Sequence, residues 1–397
     1  RRKGNIVFEQ SEKSVATHMP GKEKRGKRKN SFLSWILFLA NLAVLGFMLP
    51  GFLAAYVPPD KFWMLAFAGL AFPYFALLNF IFLVFWILLK KRFAFVSLAF
   101  VLLSWGRMAG FYQISLPDKV TKTERSLKVV SYNVRIFDRY NWKSGKISED
   151  AREILKLTGT LQPDVLCLQE YHSGGKGKTS MCDSIKKYTG LKHSHIEFIK
   201  VNGTARPFGI ATFSRWPVVK TETIKFSNNR LNLCIVNDLL CFNDTIRVIN
   251  LHLESIKFSN EDYLYMSDIA NEAEDQELFK KNSLKIFSKL RKAFIARASQ
   301  AREVAELIRK SPHPVIVCGD FNDTPSSYSY HTIAEGLNDA FRDSGNGFGQ
   351  TYAGIFPSFR IDYILYGDEL ESTDFTRIKE SHSDHYPIAA TLRLRNN

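Results

Sequence analysis

Residues Val315–Pro325 read Val-Ile-Val-Cys-Gly-Asp-Phe-Asn-Asp-Thr-Pro. The apolar start is the signature of a fully buried strand. It stops at Gly319-Asp320-Phe321-Asn322-Asp323, which places carboxylates and a carboxamide at the mouth of a core strand. Such groups bind metal or phosphate, and a strand end holds them rigidly. Five further strings put similar chemistry beside apolar runs: Ser131-Tyr132-Asn133, Leu168-Gln169-Glu170, Asn250-Leu251-His252-Leu253, Arg360-Ile361-Asp362-Tyr363 and Ser383-Asp384-His385-Tyr386-Pro387. Taken singly, Glu170 or Asp362 reads as an ion-pair partner, His252 as a structural histidine and Asn133 as a turn residue. Taken together they form an oxygen-rich set with two imidazoles and no cysteine, which suits Mg²⁺ or Mn²⁺ better than Zn²⁺.

The elements that must carry these groups are short strands alternating with helices. The pattern predicts strands at 128–133, 165–169, 209–214, 233–242, 245–252, 315–319, 361–366 and 389–394, with helices at 148–160 and 283–310. Asn243-Asp244 predicts a tight hairpin turn. Cys167 and Cys318 sit in apolar runs and read as core. The five cysteines form no CxxC pair and no disulfide framework.

In order, Ser-Tyr-Asn, Gln-Glu, Asn-x-His-Leu, Gly-Asp-Phe-Asn, Asp-Tyr and Ser-Asp-His-Tyr-Pro resemble the endonuclease/exonuclease/phosphatase superfamily, the DNase I-like proteins, over about residues 126–395. With its apolar N-terminal region the chain looks like a bacterial membrane-anchored branch. The resemblance implies an α/β fold, a four-layer α/β/β/α sandwich, and a Mg²⁺-dependent hydrolase of phosphoester bonds. It implies that Glu170 holds the metal, with Asn133 and Asp384 completing or supporting its shell. Asp320 would activate the attacking water and Asn322 would hold that water or a phosphate oxygen. His385, held by Asp362, and His252 would act on the phosphate and the leaving oxygen. Arg206 is a looser candidate phosphate ligand. Calcineurin-like metallophosphatases also use Gly-Asp, but their Gly-Asn-His-Asp/Glu and Gly-His-x-His strings are absent. A rival reading is a catalytically inactive, membrane-tethered binding module. The complete polar set argues against it.

The N-terminal third predicts a different environment. The chain opens on Arg1, and Met19 is a candidate start. Residues 1–31 hold ten Lys and Arg against three Glu and read as a basic, disordered tail. Residues 32–56 and 62–89 are uncharged and long enough to cross a bilayer, which takes about 20 residues. Residues 93–114 are expected as a third transmembrane helix despite Arg107, and 115–125 as a linker. Basic residues before the first span and at Lys90-Lys91-Arg92 mark cytoplasmic sides. Three spans would put residues 126–395 outside the cytoplasm, and two would keep them inside.

The formal charge of +15 is concentrated in this region, and only +4 remains from Asp118 onward. A general polyanion-binding surface is therefore not indicated. Nucleic acid, a phospholipid head group and a small phosphoester all remain open as substrates. The lipid bilayer is an expected partner, and nothing implies an obligate protein partner. Residues 259–278 carry seven Asp or Glu and no Lys or Arg. They read either as a solvated segment or as a lid beside the site.

Overall fold

The computed structural model describes residues 24–115, 125–142, 146–174, 180–199, 208–227, 232–267, 276–354 and 359–395. The chain divides into two compact units, Arg1–Ala43 and Val44–Asn397, each described by itself. Helix α1, Lys24–Leu53, runs through the end of the first unit into the second. It begins inside the tail expected to be disordered. Residues 1–23 of that tail, and 116–124 of the expected linker, lie outside the described residues.

The second unit continues with α2 (Pro59–Phe62), α3 (Met64–Leu88) and α4 (Ala94–Met108), then the short strand β1 (Tyr112–Gln113). Two helical stretches, Phe32–Leu53 and Met64–Leu88, are long and apolar enough to cross a membrane. The expected third is not. Helix α4 has 15 residues, about 22 Å of rise against a hydrocarbon core of about 30 Å. The chain then turns into β1, which pairs with β11 (Gly347–Phe348). Arg107, expected at a membrane interface, instead donates to the carbonyls of Gly51 at 3.4 Å and Phe52 at 2.7 Å.

From Ser126 two six-stranded sheets form. In chain order the elements are β2 (Ser126–Asn133), α5 (Glu149–Thr160), β3 (Val165–His172), α6 (Met181–Thr189), β4 (His193–Ile199), β5 (Phe208–Ser214), β6 (Val218–Lys225), β7 (Leu233–Cys241) and β8 (Asp244–His252). There follow α7 (Asn260–Ser267), α8 (Gln276–Arg309), β9 (Val315–Asp320), α9 (Tyr328–Ala334), β10 (Asn338–Asp339), α10 (Ala340–Ser344), β12 (Asp362–Tyr366), β13 (Leu370–Arg377) and β14 (Ile388–Leu394). One sheet has the order β10-β12-β9-β8-β7-β6 and the other β13-β14-β2-β3-β5-β4.

Strand alternation explains the layers. Val129 faces Val248 and Cys318 in the core between the sheets, while its neighbour Val130 faces Ile154 of α5 and Ile185 of α6. On the other sheet Ile249 and Val317 face Ala301 and Val304 of α8. The result is the four-layer α/β/β/α sandwich. Cys167 and Cys318 are buried in its centre, and both are free. Ser148 caps α5 through a 3.2 Å bond from the Ala151 N–H. The β7–β8 turn lies one residue earlier than expected, with Phe242 and Asn243 both at positive φ, as a type I′ hairpin requires.

The eight expected strands are present. The unforeseen β4, β6 and β13 are edge strands. Each carries Lys, Glu, Asp or His on an open face, which is how edges avoid further pairing and why no apolar run marks them.

Candidate functional site

Strand register assembles the site. In parallel β8–β9, His252 lies opposite Asp320; in antiparallel β9–β12, Asp362 lies opposite the same Asp320. Three polar groups thus share one row at a sheet end. Gly319 makes the parallel pairing possible: its φ is +145°, and an added Cβ would sit 2.0 Å from the Leu251 carbonyl oxygen.

The facing sheet supplies Asn133 at the end of β2 and Glu170 in β3. A bulge between Leu168 and Tyr171 interrupts the β3–β5 ladder, and Glu170 takes a φ of 50° within it. Bulges re-aim side chains in this way. Asn250 and Gln169, buried beneath the site, tie the sheets together with a 2.8 Å amide bond.

The side chains converge on Asp320. Its Oδ2 accepts from Asn133 Nδ2 at 3.0 Å and from Asn322 Nδ2 at 3.3 Å, and its Oδ1 accepts from the Asn322 N–H at 2.8 Å. Nε2 of His252 stands 3.6 Å from Asp320 Oδ2 and 4.0 Å from Glu170 Oε1. Among the described residues that buried nitrogen has no hydrogen-bond partner. Nε2 of His385 stands 3.7 Å from Asp320 Oδ2, while its Nδ1 meets Asp362 Oδ2 at 2.9 Å.

Burial pushes the Asp320 carboxyl up to about 6, against the opposing pull of the His385 imidazole. Burial works against the charged form of His385, but the Asp362 and Asp320 carboxylates outweigh it and raise its pKa well above that of a free histidine. Protons in this cluster are therefore shared between groups rather than owned by one residue.

Glu170, Asp320, Asn322, Asp384 and His385 line one cavity of about 250 Å³. Ser383 Oγ donates to the Asn133 carbonyl at 2.8 Å and lies 3.3 Å from Asp384 Oδ1. Arg135 approaches Asp384 at 3.8 Å. Asn133 turns its two amide atoms in different directions. Its Oδ1 accepts from the Arg135 N–H at 3.0 Å, so its amide presents N–H, not oxygen, to Asp320 and Glu170. Arg206 lies outside the described residues.

The donor set suits a hard divalent cation: the half-exposed carboxylates of Glu170 and Asp384 share the cavity with buried Asp320, and no thiol is present. Asp320, Asp362 and His385 also bring ligand atoms within 4.8 Å of one another. The Asp362–His385 bond makes that trio a hydrogen-bonded pair beside a carboxylate. The unpartnered His252 nitrogen, facing two carboxylates, fits a further atom between them.

Several supporting residues carry no sequence signal. Thr351 Oγ1 accepts from the Ile361 and Asp362 N–H groups, each at 3.0 Å. Arg360 is buried against Asp339 at 2.5 Å, donates to the Gly110 carbonyl at 2.9 Å, and stacks over Phe341 and Tyr363. Arg297 pairs with Asp323 at 3.0 Å under the same loop. The Arg360-Ile361-Asp362 string could have suggested Arg360; a lone Thr351 offers nothing to find.

Comparisons with known proteins agree with this architecture. A domain of unknown function matches residues 34–111. No curated protein matches the chain. Among solved structures, an endonuclease/exonuclease/phosphatase from Bacteroides vulgatus is 15% identical with a TM-score of 0.50, covering 69% of this chain and 100% of its own. One from Beutenbergia cavernae is 17% identical, TM-score 0.48, covering 68% and 72%. The human Nocturnin catalytic domain with bound sulfate is 18% identical, TM-score 0.47, covering 69% and 97%. The Bacteroides vulgatus structure is a likeness of fold. The profile of the Endonuclease/Exonuclease/phosphatase family matches residues 130–385, a span that opens on β2 and closes on His385. By that match the chain belongs to the endonuclease/exonuclease/phosphatase family and is a hydrolase of the kind that family comprises.

Proposed function

We propose that the chain is a membrane-anchored, Mg²⁺-dependent hydrolase of phosphodiester bonds. The row of His252, Asp320 and Asp362, with Glu170 facing it from the other sheet, carries this reading. Glu170 and Asp384 would hold the ion, and Asn133 would steady Glu170 through its N–H. When bound, the ion supplies charge stabilisation to the phosphate.

The protein's own groups account for the rest. Asp320 is buried and its pKa is raised to about 6, so it can accept a proton from an attacking water near neutral pH. Asn322, whose Nδ2 donates to the Leu253 carbonyl and to Asp320, keeps its Oδ1 to accept from the attacking water. His385, kept in orientation and kept positive by Asp362, faces the developing negative charge. His252 has a free nitrogen with which to protonate the leaving oxygen. The arrangement relies on positioning and charge, as phosphoryl transfer does in general.

The setting follows from the helices. Gly110, after α4, packs on Pro325, and Arg107 reaches the end of α1. The chain therefore returns beside α3 to the catalytic face, and Lys90-Lys91-Arg92 lie at the far turn. This reading has α4 make the return crossing although its 15 residues fall short of a full hydrocarbon core; with the far turn cytoplasmic, the catalytic domain then lies outside the cytoplasm. A C-terminal alkaline phosphatase fusion should be active in cells; an inactive fusion with a fluorescent green fluorescent protein counterpart would reverse this orientation.

The full chain should cleave at least one of plasmid DNA, RNA, a phospholipid or bis(4-nitrophenyl) phosphate with Mg²⁺ and none with EDTA. Asp320→Asn should abolish the activity and His385→Ala should lower it by about 10²–10⁴. Activity undiminished by EDTA, or intact in both variants, would defeat the reading. A folded chain that bound but never cleaved any of these would favour the inactive binding module.

A further inference from the structure

The cavity that holds the site has a wall that no catalytic strand supplies. Leu70, from the 25-residue apolar helix α3, lines the same cavity as Glu170, Asp320 and His385. Phe258, Leu290, Phe294 and Phe359 extend this wall. Helix α3 is built in, not loosely tethered. At Gly69 an added Cβ would lie 3.2 Å from the Ser326 carbonyl oxygen and 2.8 Å from the Ala54 Cβ. Phe67 stacks on Phe287 at 4.8 Å and meets Phe294 edge-on at 5.2 Å, and Tyr74, two turns along, meets Phe359 at 6.3 Å. Asp60, just before α3, pairs with Arg302 of α8 at 3.0 Å.

A phosphoester that is polar throughout gains nothing from this wall, and leaving it wet costs free energy. A substrate with a polar phosphate and an apolar tail matches both ends of the cavity. The apolar end is continuous with a helix long enough to lie in a bilayer, so a tail could pass from lipid to site without crossing water.

Resting on the phosphodiesterase reading above, we propose that the substrate is a lipid-borne phosphoester. Its phosphate lies at Asp320 and His385 and its hydrocarbon tail lies against Leu70, which is a specificity-determining residue. Water adds to phosphorus, the bond from phosphorus to the leaving oxygen breaks, and that oxygen takes up a proton. The products are a phosphomonoester and an alcohol, and nothing is oxidised or reduced.

The test uses the full chain in phosphatidylcholine nanodiscs with Mg²⁺ and a series of methyl, butyl and octyl 4-nitrophenyl phosphates. Each methylene the cavity buries should raise kcat/KM about three- to four-fold, through KM with kcat steady. Leu70→Trp, which fills the apolar end, should flatten that dependence, and Leu70→Met should keep it. The discs are the same throughout, so partition into lipid cancels between variants. If the parent cleaves every ester with no dependence on chain length, the lipid-borne substrate is overturned and the hydrolase reading stands. If Leu70→Trp keeps the parent's slope, the assignment of Leu70 is overturned. If no ester is cleaved but plasmid DNA, RNA or bis(4-nitrophenyl) phosphate is, the lipid-borne substrate is overturned and the hydrolase reading stands; if none of these is cleaved with Mg²⁺, the underlying reading itself fails.

Discussion

Nδ1 of His385 stands 2.9 Å from Asp362 Oδ2, and its other ring nitrogen stands 3.7 Å from Asp320 Oδ2. One imidazole thus lies between two buried carboxylates from adjacent strands, the first fixing its orientation and the second facing the cavity. Asp362→Asn should leave the ring in place but remove its charge partner. In steady-state assays kcat should fall by about 10²–10⁴ with KM little changed, and His385→Ala should fall as far. A Asp362→Asn variant within two-fold of the parent would show that the pair is structural only.

Asp320 is a buried carboxyl whose charge burial opposes. Among the described residues its carboxylate has amide donors but no cation in contact, other than imidazoles at 3.6 and 3.7 Å. Asp320→Asn removes a costly buried charge and keeps the shape. It should abolish turnover and raise the melting temperature by about 2–4 °C, the usual yield of about 1 kcal/mol in a domain of this size. A lower melting temperature in calorimetry would count against this view.

Arg360 links three parts of the fold: Asp339, the Gly110 carbonyl and the strand that carries Asp362. Its guanidinium is buried, so removal strands the Asp339 carboxylate. Arg360→Met should cost about 3–5 kcal/mol, and Arg360→Lys should recover little of it, because an ammonium lacks the planar fork. Equilibrium unfolding in urea would read both values.

Acid should loosen the segment that follows His252. Ser255, Ile256, Lys257 and Phe258 line the cavity, and α7 is tied to α8 by Asp262, which pairs with Lys289 and, at 3.2 Å, with Lys285. Burial alone would raise the Asp262 pKa, but the lysines and the Ser259 N–H and hydroxyl outweigh it and hold it well below the ordinary carboxylate range. A carboxylate depressed in the folded state adds stability above its unfolded value of about 3.9, and loses it as pH falls further. Asp262→Asn should therefore melt below the parent at pH 7, with a gap that narrows steadily once pH drops below about 4. An equal gap at pH 7 and pH 2.5 would refute the linkage.

The sequence made the inner strands legible and left the outer ones obscure. β2, β3, β8 and β9 are buried on both faces and read as apolar runs ending in functional groups. β6, reading Val-Val-Lys-Thr-Glu-Thr-Ile-Lys, has a partner on one side only and a composition to match. The third apolar segment, expected to run to residue 114, ends its helix at Met108, because hydropathy does not report where a helix ends. Its last residues leave α4 to pair with Phe348. Within the site, side-chain types were readable but directions were not. Asn133 was expected to complete or support a metal shell; which of its two amide atoms faces Asp320 follows only from the fold, where Oδ1 accepts from the Arg135 N–H and Nδ2 faces Asp320. Thr351 acts through two backbone bonds, which no residue pattern announces.

The row formed by His252, Asp320 and Asp362 has an engineering consequence. Its spacing is set by the hydrogen-bond ladders of β8, β9 and β12, so it does not depend on the length of the segments between those strands. A one-residue slip would destroy it, whereas a transplanted loop need not disturb it. Exchanging residues 255–275 for a segment of different size and charge should redirect which molecules are admitted while the reacting row keeps its dimensions. The chain is in this sense a chassis: the ladder stores the chemistry, and the connections between its rungs are where new selectivity can be written.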